Sequence, residues 1–154
     1  MDKYRENSMV LVENLLASKA KVVWQINPEA SVYAALKLMD DKGIGALAVT
    51  QHDKLVGIIS ERDYARKVIL KGHTSQATKV EDIMTKDVLY TFPKQKIEDC
   101  MVVMTERHIR HMPVIENKKL VGVITLGDVV KAIIEEQQIK IDHLEQTISW
   151  GESY

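Results

Sequence analysis

The nine residues Leu55-Val56-Gly57-Ile58-Ile59-Ser60-Glu61-Arg62-Asp63 return 65 positions later as Leu120-Val121-Gly122-Val123-Ile124-Thr125-Leu126-Gly127-Asp128. In each copy an apolar, β-branched run is broken by glycine and closed by a hydroxyl residue with an acid three positions on. That pattern reads as a strand running into a helix N-terminus. The same shift places Pro28 on Pro93, Met39 on Met104, Ile44 on Ile109, Val49 on Val114 and Lys54 on Lys119 without a gap. The chain is a tandem duplication, and neither copy is large enough to bury its apolar faces alone.

Within each copy the order of elements follows from periodicity and turn chemistry. Val22 to Ile26 is β-rich and stops at Asn27-Pro28. Ser31 can cap a helix whose Val32, Ala35, Leu36 and Met39 share a face, and Gly43 ends it. Ala46 to Val49 and Leu55 to Ile59 read as strands joined by a polar turn, followed by a helix that stops near Gly72. Residues 73 to 79 are polar and small, and the boundary between copies is expected there. Val80 to Met84 reads as a helical turn. The second copy repeats the order: a strand from Val88 to Thr91, a helix from about Ile97 to Glu106, strands from Met112 to Ile115 and Leu120 to Ile124, and a helix from Leu126.

The expected fold is α+β, two β-α-β-β-α repeats related by a pseudo-twofold axis, with a long C-terminal helix. The expected divisions are 8–72 for the first repeat with an N-terminal helix, 80–135 for the second, and 136–154 for a helical extension. The N-terminal helix would carry Val12, Leu15 and Leu16, with Ser8 as N-cap. The last helix overruns the repeat, and its stripe of Ile134, Ile141, Leu144 and Ile148 calls for a partner surface, either the N-terminal helix or another subunit. A homodimer is therefore expected.

Bulk composition excludes several function classes. Twenty-one basic and 22 acidic residues give a net charge of -1, with no basic footprint for nucleic acid and no polybasic run for a membrane. One cysteine, Cys100, rules out an intramolecular disulfide framework and fits a reducing compartment. The sequence carries neither an apolar run of membrane-spanning length nor a signal-peptide pattern, so a soluble cytoplasmic protein is expected. It also lacks zinc-ligand spacing, a P-loop and a dinucleotide glycine fingerprint. Cys100 lies among Ile97, Met101 and Met104 at helical spacing, as a core thiol would, with no base in sight, so no enzyme is expected.

Gly57-Ile58-Ile59-Ser60-Glu61-Arg62-Asp63 and Gly122-Val123-Ile124-Thr125-Leu126-Gly127-Asp128 resemble the signature of cystathionine-beta-synthase (CBS) domains. Two copies in register resemble a stand-alone tandem CBS pair, with the likeness running from residue 8 to about 135 and leaving no room for a catalytic, channel or DNA-binding domain. The resemblance implies a cleft between repeats with two related sites for adenosine-containing ligands. Asp63 and Asp128 would hold ribose hydroxyls, and Ser60 and Thr125 would sit near ribose or phosphate. Val32, Ile44, Gly45 and Ala46 in one copy, and Ile109, Arg110 and His111 in the other, would line the cleft. It implies a regulatory ligand such as AMP, ATP or NAD, no catalytic cofactor, no metal, and an unidentified target protein.

Chemistry supports that reading without compelling it. A carboxylate accepts two hydrogen bonds from a cis-diol, and a helix N-terminus favours phosphate. Hydroxyl and acid at this spacing are equally the requirement of a capping box. Arg107, His108, Arg110 and His111 form a basic cluster absent from the first copy, and Arg110 and His111 are expected to meet phosphate; the resemblance implies that they would serve the ligand held by Asp63. Arg62 and Lys67 are further candidates. The alternative to a nucleotide sensor is a structural dimerisation module with vestigial sites.

Overall fold

Glycine and hydroxyl positions set the boundaries of several elements in the computed structural model, which describes residues 10–19 and 22–152, with side chains of the last helix described as far as residue 146. Among the described residues six α-helices and five strands form a mixed α+β arrangement: α1 (Val12–Ala17), β1 (Gln25–Ile26), α2 (Val32–Lys42), β2 (Ala46–Gln51), β3 (Lys54–Ser60), α3 (Glu61–Lys67), α4 (Val80–Ile83), α5 (Ile97–Glu106), β4 (His111–Glu116), β5 (Lys119–Thr125) and α6 (Leu126–Glu152). They divide between two units, one of residues 1–20, 91–111 and 124–154, the other of residues 21–90 and 112–123.

In the second of these units β1 pairs parallel to β2, and β2 antiparallel to β3, in the order β1-β2-β3. Ser31 accepts the Ala34 N–H at 3.0 Å to start α2, and Gly43 ends it at φ 64°, a conformation that costs glycine little. The period-3.6 face of α2 delivers Val32, Ala35 and Met39 to a buried cluster with Leu47, Val49, Ile59, Val68, Val80 and Ile83. Full burial of such side chains stabilises by roughly 1.5 to 3 kcal/mol each. The β2–β3 turn has positive φ at His52 and Asp53, as tight two-residue hairpins require, and Asn117 and Lys118 do the same between β4 and β5.

Gly57 is demanded by close approach. A Cβ there would lie 2.5 Å from Met84 Sδ and 3.0 Å from the Thr85 carbonyl oxygen. The backbone beside it is pinned, with Ile58 and Thr85 exchanging N–H···O bonds at 3.0 and 2.9 Å.

The two units use one docking device. In one, the Val80 and Glu81 N–H groups at the start of α4 donate to the Ala30 and Pro28 carbonyls at 2.8 and 2.9 Å. In the other, Val12 and Glu13 at the start of α1 donate to Gln95 and Pro93 at 2.8 and 2.9 Å, and Glu13 pairs with Lys94 at 3.1 Å. Val12 and Leu15 are buried in this unit, with Ile97, Cys100, Met104, Ile124 and Val129. The expected docking helix therefore exists, beginning after Leu11; Ser8 lies outside the described residues.

Two expected strands are corrected. Val22 to Ile26 contracts to Gln25–Ile26, and Val88 to Thr91 forms no strand, only a one-residue bridge at Thr91. Parallel pairing is the only support a leading strand has, and β-branched composition alone does not supply it. The helix after Ser60 also ends earlier than expected, at Lys67, and a 3-10 turn over Ile69–Lys71 carries the chain to Gly72 at φ 74°. The second copy ends its α5 with His108 at φ 54°, where the first has Gly43. The long C-terminal helix is as expected, and Ile134, Ile139, Ile141 and Leu144 on it are exposed.

Candidate functional site

Each duplicated motif ends in a strand whose last residue caps the following helix. At α3, the Asp63 N–H donates to Ser60 Oγ at 3.2 Å, and Asp63 Oδ2 accepts the Ser60 N–H at 2.9 Å and its hydroxyl at 3.1 Å. At α6, the Asp128 N–H donates to Thr125 Oγ1 at 3.0 Å and Asp128 Oδ2 accepts the Thr125 N–H at 3.1 Å. Both are reciprocal capping boxes. The chain before each is tied in the same way: the Glu61 N–H donates to Gly45 at 3.1 Å and the Leu126 N–H to Arg110 at 2.9 Å. Gly45 and Arg110 are thereby held beside their own helix N-terminus.

The two carboxylates differ in what else they meet. Asp63, with a side chain 13% exposed, pairs through Oδ1 with Lys67 Nζ at 3.1 Å. Lys67 is one turn further along the same helix and also donates to the Ile83 carbonyl at 2.8 Å. In the second copy the position of Lys67 is taken by Ala132. Asp128 finds its lysine elsewhere: Lys19 Nζ, in the segment after α1, lies 2.6 Å from Asp128 Oδ2, the two side chains being 35% and 33% exposed. The 65-residue shift carries Lys19 to the uncharged Met84. A short, charge-assisted bond of this kind is stronger than a neutral one.

Charge gathers at the Asp128 end. Burial would raise the Asp128 carboxyl, but hydrogen bonds from Lys19 and Thr125 and the charge of Lys19 outweigh it and hold the group below the ordinary carboxylate range. Burial lowers His111 from its ordinary 6.5, and the positive charges of Lys19 and Arg110 lower it further against the pull of Asp128. Protonation of the imidazole is thereby shifted to lower pH. Lys19, Arg110, His111, Asp128 and Thr125 act on one another electrostatically in one unit. Sequence reading missed Lys19, and no local pattern marks it.

The other candidates fall as follows. Arg62 is exposed on α3, Ile44, Gly45 and Ile109 are half-buried, and Ala46 is buried. Val32 is wholly buried in the core cluster, its N–H donating to Thr78 at 2.8 Å. Cys100 is buried, donates to Thr91 Oγ1 at 3.3 Å, and has its thiol pushed up by burial, the reverse of an activated nucleophile. Among the described residues no group of histidine, cysteine and carboxylate side chains is placed to hold a metal ion, and no helix is long and apolar enough to cross a membrane.

Comparison with known proteins bears on the family and the fold. The CBS domain pattern matches twice, at residues 19–70 and 80–135. The CBS domain-containing protein CBSX3, mitochondrial, of Arabidopsis thaliana is 40% identical over 126 residues, covering 79% of this chain, which spans only 61% of that protein's length. A solved CBS-domain protein from Burkholderia ambifaria MC40-6 is 45% identical, with a TM-score of 0.80 over 83% of this chain and 96% of that one. The CBS domain pair of protein MJ0100, solved with 5′-methylthioadenosine and S-adenosyl-L-methionine, is 25% identical, with a TM-score of 0.72 over 83% of this chain and 98% of its own. With both copies of its repeat matched, this chain belongs to the CBS domain family as a tandem pair.

Proposed function

We propose that this protein is a non-catalytic regulatory module that binds an adenosine nucleotide, AMP, ATP or NAD, and passes its occupancy to a partner protein. The observation that carries the reading is the duplicated turn in which a partly buried carboxylate, Asp63 or Asp128, stands beside helix-terminal N–H groups and a lysine ammonium. Carboxylate for a ribose diol, together with N–H groups and cation for phosphate, is the chemistry such a ligand needs. The MJ0100 pair, which holds two adenosine derivatives, supports the class of ligand. Occupancy would act by population shift, favouring whichever arrangement of the chain binds ligand more tightly. The exposed Ile134, Ile141 and Leu144 of α6 would serve a homodimer contact. A cytoplasmic location rests on the single reduced thiol.

The second reading, a structural dimerisation module, draws on the same boxes, since capping alone accounts for Ser60, Asp63, Thr125 and Asp128. Thermal denaturation with AMP, ATP and NAD separates the two. At a hundred times its dissociation constant a ligand stabilises by about 2.7 kcal/mol, on the order of 5 to 10 °C for a chain of this size. A transition unmoved by all three at millimolar concentration leaves the structural reading standing.

A further inference from the structure

Helix α6 parts from its own unit before it ends. Val129 and Glu136, two turns apart, are buried on the face that packs on α1 and α5. From Gln137 to Gln146 every side chain is exposed, although the helix runs on to Glu152. A helix of that length standing alone in water is marginal, so its continuation calls for a second surface. The exposed positions have a particular spacing. Val130, Ile134, Gln137, Ile141 and Leu144 follow one another in steps of four and three, and in sequence the next step reaches Ile148. That is a heptad seam, with Ile134 and Ile141 at its a positions and Val130, Gln137 and Leu144 at its d positions. Ile139 falls outside it.

We propose that α6, from Val130 onward, forms a parallel two-stranded coiled coil with a second copy of this chain, in register at Gln137. The inference rests on the homodimer reading above and adds the surface, the number of strands and their direction. Isoleucine at a with leucine at d favours two parallel strands. Charge agrees: Lys140 stands at g and Glu145 at the following e, positions that face each other across a parallel pair. Lys140 also leans on Glu136 of its own helix at 3.5 Å, and its side chain remains half exposed for the contact. Gln137 sets the direction. In a parallel pair its amide meets the same amide of the second copy, and the two can hydrogen-bond. An antiparallel pair still joins opposite charges, Lys131 with Glu145, but stacks each Gln137 on Ile141 of the other chain and leaves the amide without a partner in the seam. The seam is short, so the pairing is reversible and depends on concentration.

Sedimentation equilibrium at micromolar concentrations tests this, on the wild-type chain, Lys140→Glu, Glu145→Lys and the double reversal, with melting curves confirming that each is folded. The expected result is a dimer that either single reversal weakens by about three- to tenfold. The double reversal restores it, because it exchanges the two signs across the seam. Leu144→Cys should also oxidise to a covalent dimer, since like residues meet in a parallel pair, while the wild-type chain, whose Cys100 is buried, does not. A dimer indifferent to the reversals, or one in which Leu144→Cys cross-links only to an Ile134→Cys chain, overturns the parallel coiled coil and leaves the homodimer reading standing. A wild-type chain that is monomeric throughout removes the homodimer and the coiled coil together.

Discussion

Asp63 accepts both the backbone N–H and the hydroxyl of Ser60, at 2.9 and 3.1 Å, so this carboxylate is already a structural group before any ligand arrives. Ser60→Ala and Asp63→Ala should each destabilise the fold by about 1 kcal/mol, or roughly 2 to 4 °C in melting temperature, through loss of the cap. Asp63→Ala should in addition reduce the rise in melting temperature produced by AMP. An AMP response left intact in folded Asp63→Ala would assign that carboxylate to capping alone.

Acid should act on this protein in two separate windows. His111 is lowered in the folded state, so the unfolded chain takes up its proton first, and stability falls as pH drops from about 6.5 toward the folded value. Asp128 is also lowered, so its pairing contributes stability fully above the ordinary carboxyl value of 3.8, which is lost as pH falls through the folded value. Urea midpoints from pH 7.5 to 5 should therefore decline less steeply in His111→Asn than in wild type, while both retain the further loss below about pH 4. Parallel slopes above pH 5 would contradict the burial of the imidazole.

Gly57→Ala should destabilise by about 1 to 3 kcal/mol, the range for forcing a methyl into a filled site. The added carbon meets Met84 Sδ, which can swing away, and the Thr85 carbonyl, which is bonded to Ile58 and cannot. Met84→Ala should rescue only part of the loss. Full rescue, measured by chemical denaturation, would place the conflict on the side chain alone.

Ile134 and Leu144, each about 60% exposed on α6, should matter to association rather than to folding of one chain. Ile134→Glu and Leu144→Glu should shift the mass seen by light scattering toward the monomer at micromolar concentration, with little change in helical circular dichroism. Wild-type protein that is monomeric under those conditions would remove the homodimer.

Cys100 should react with thiol reagents no faster than the chain unfolds. Its sulfur is buried and its thiol raised, so little thiolate is presented. Rapid modification of the native protein would show an opening at α5 that the packing of Ile97, Cys100 and Met104 does not suggest.

What the sequence made legible was whatever depended on neighbours along the chain. Gly57, Ser60 and Asp63 announce a strand, a close approach and a cap within seven residues, and duplication doubled that signal at Gly122, Thr125 and Asp128. The second leading strand was misread because Val88, Leu89 and Tyr90 have strand-like composition but form no ladder. Lys19 was invisible for a deeper reason. An ion pair between residues 109 apart leaves no periodicity. The basic character of Arg110 and His111 was plain, but the influence of burial and Lys19 on the imidazole requires coordinates.

The hydrogen bonds from Val12 and Glu13 to Gln95 and Pro93 also constrain the order of events as the chain is made. Most of one unit is contiguous, from Lys21 to Tyr90, and its local helix and hairpin contacts can form as soon as that stretch is available. The other must bring α1 to a turn more than eighty residues downstream, closing a long loop before any contact there rewards it. During synthesis, Val12 and Leu15 stay unsheltered until the segment after Tyr90 has emerged. Although made before the segment it docks on, α1 is thus among the last of the described elements to find its place.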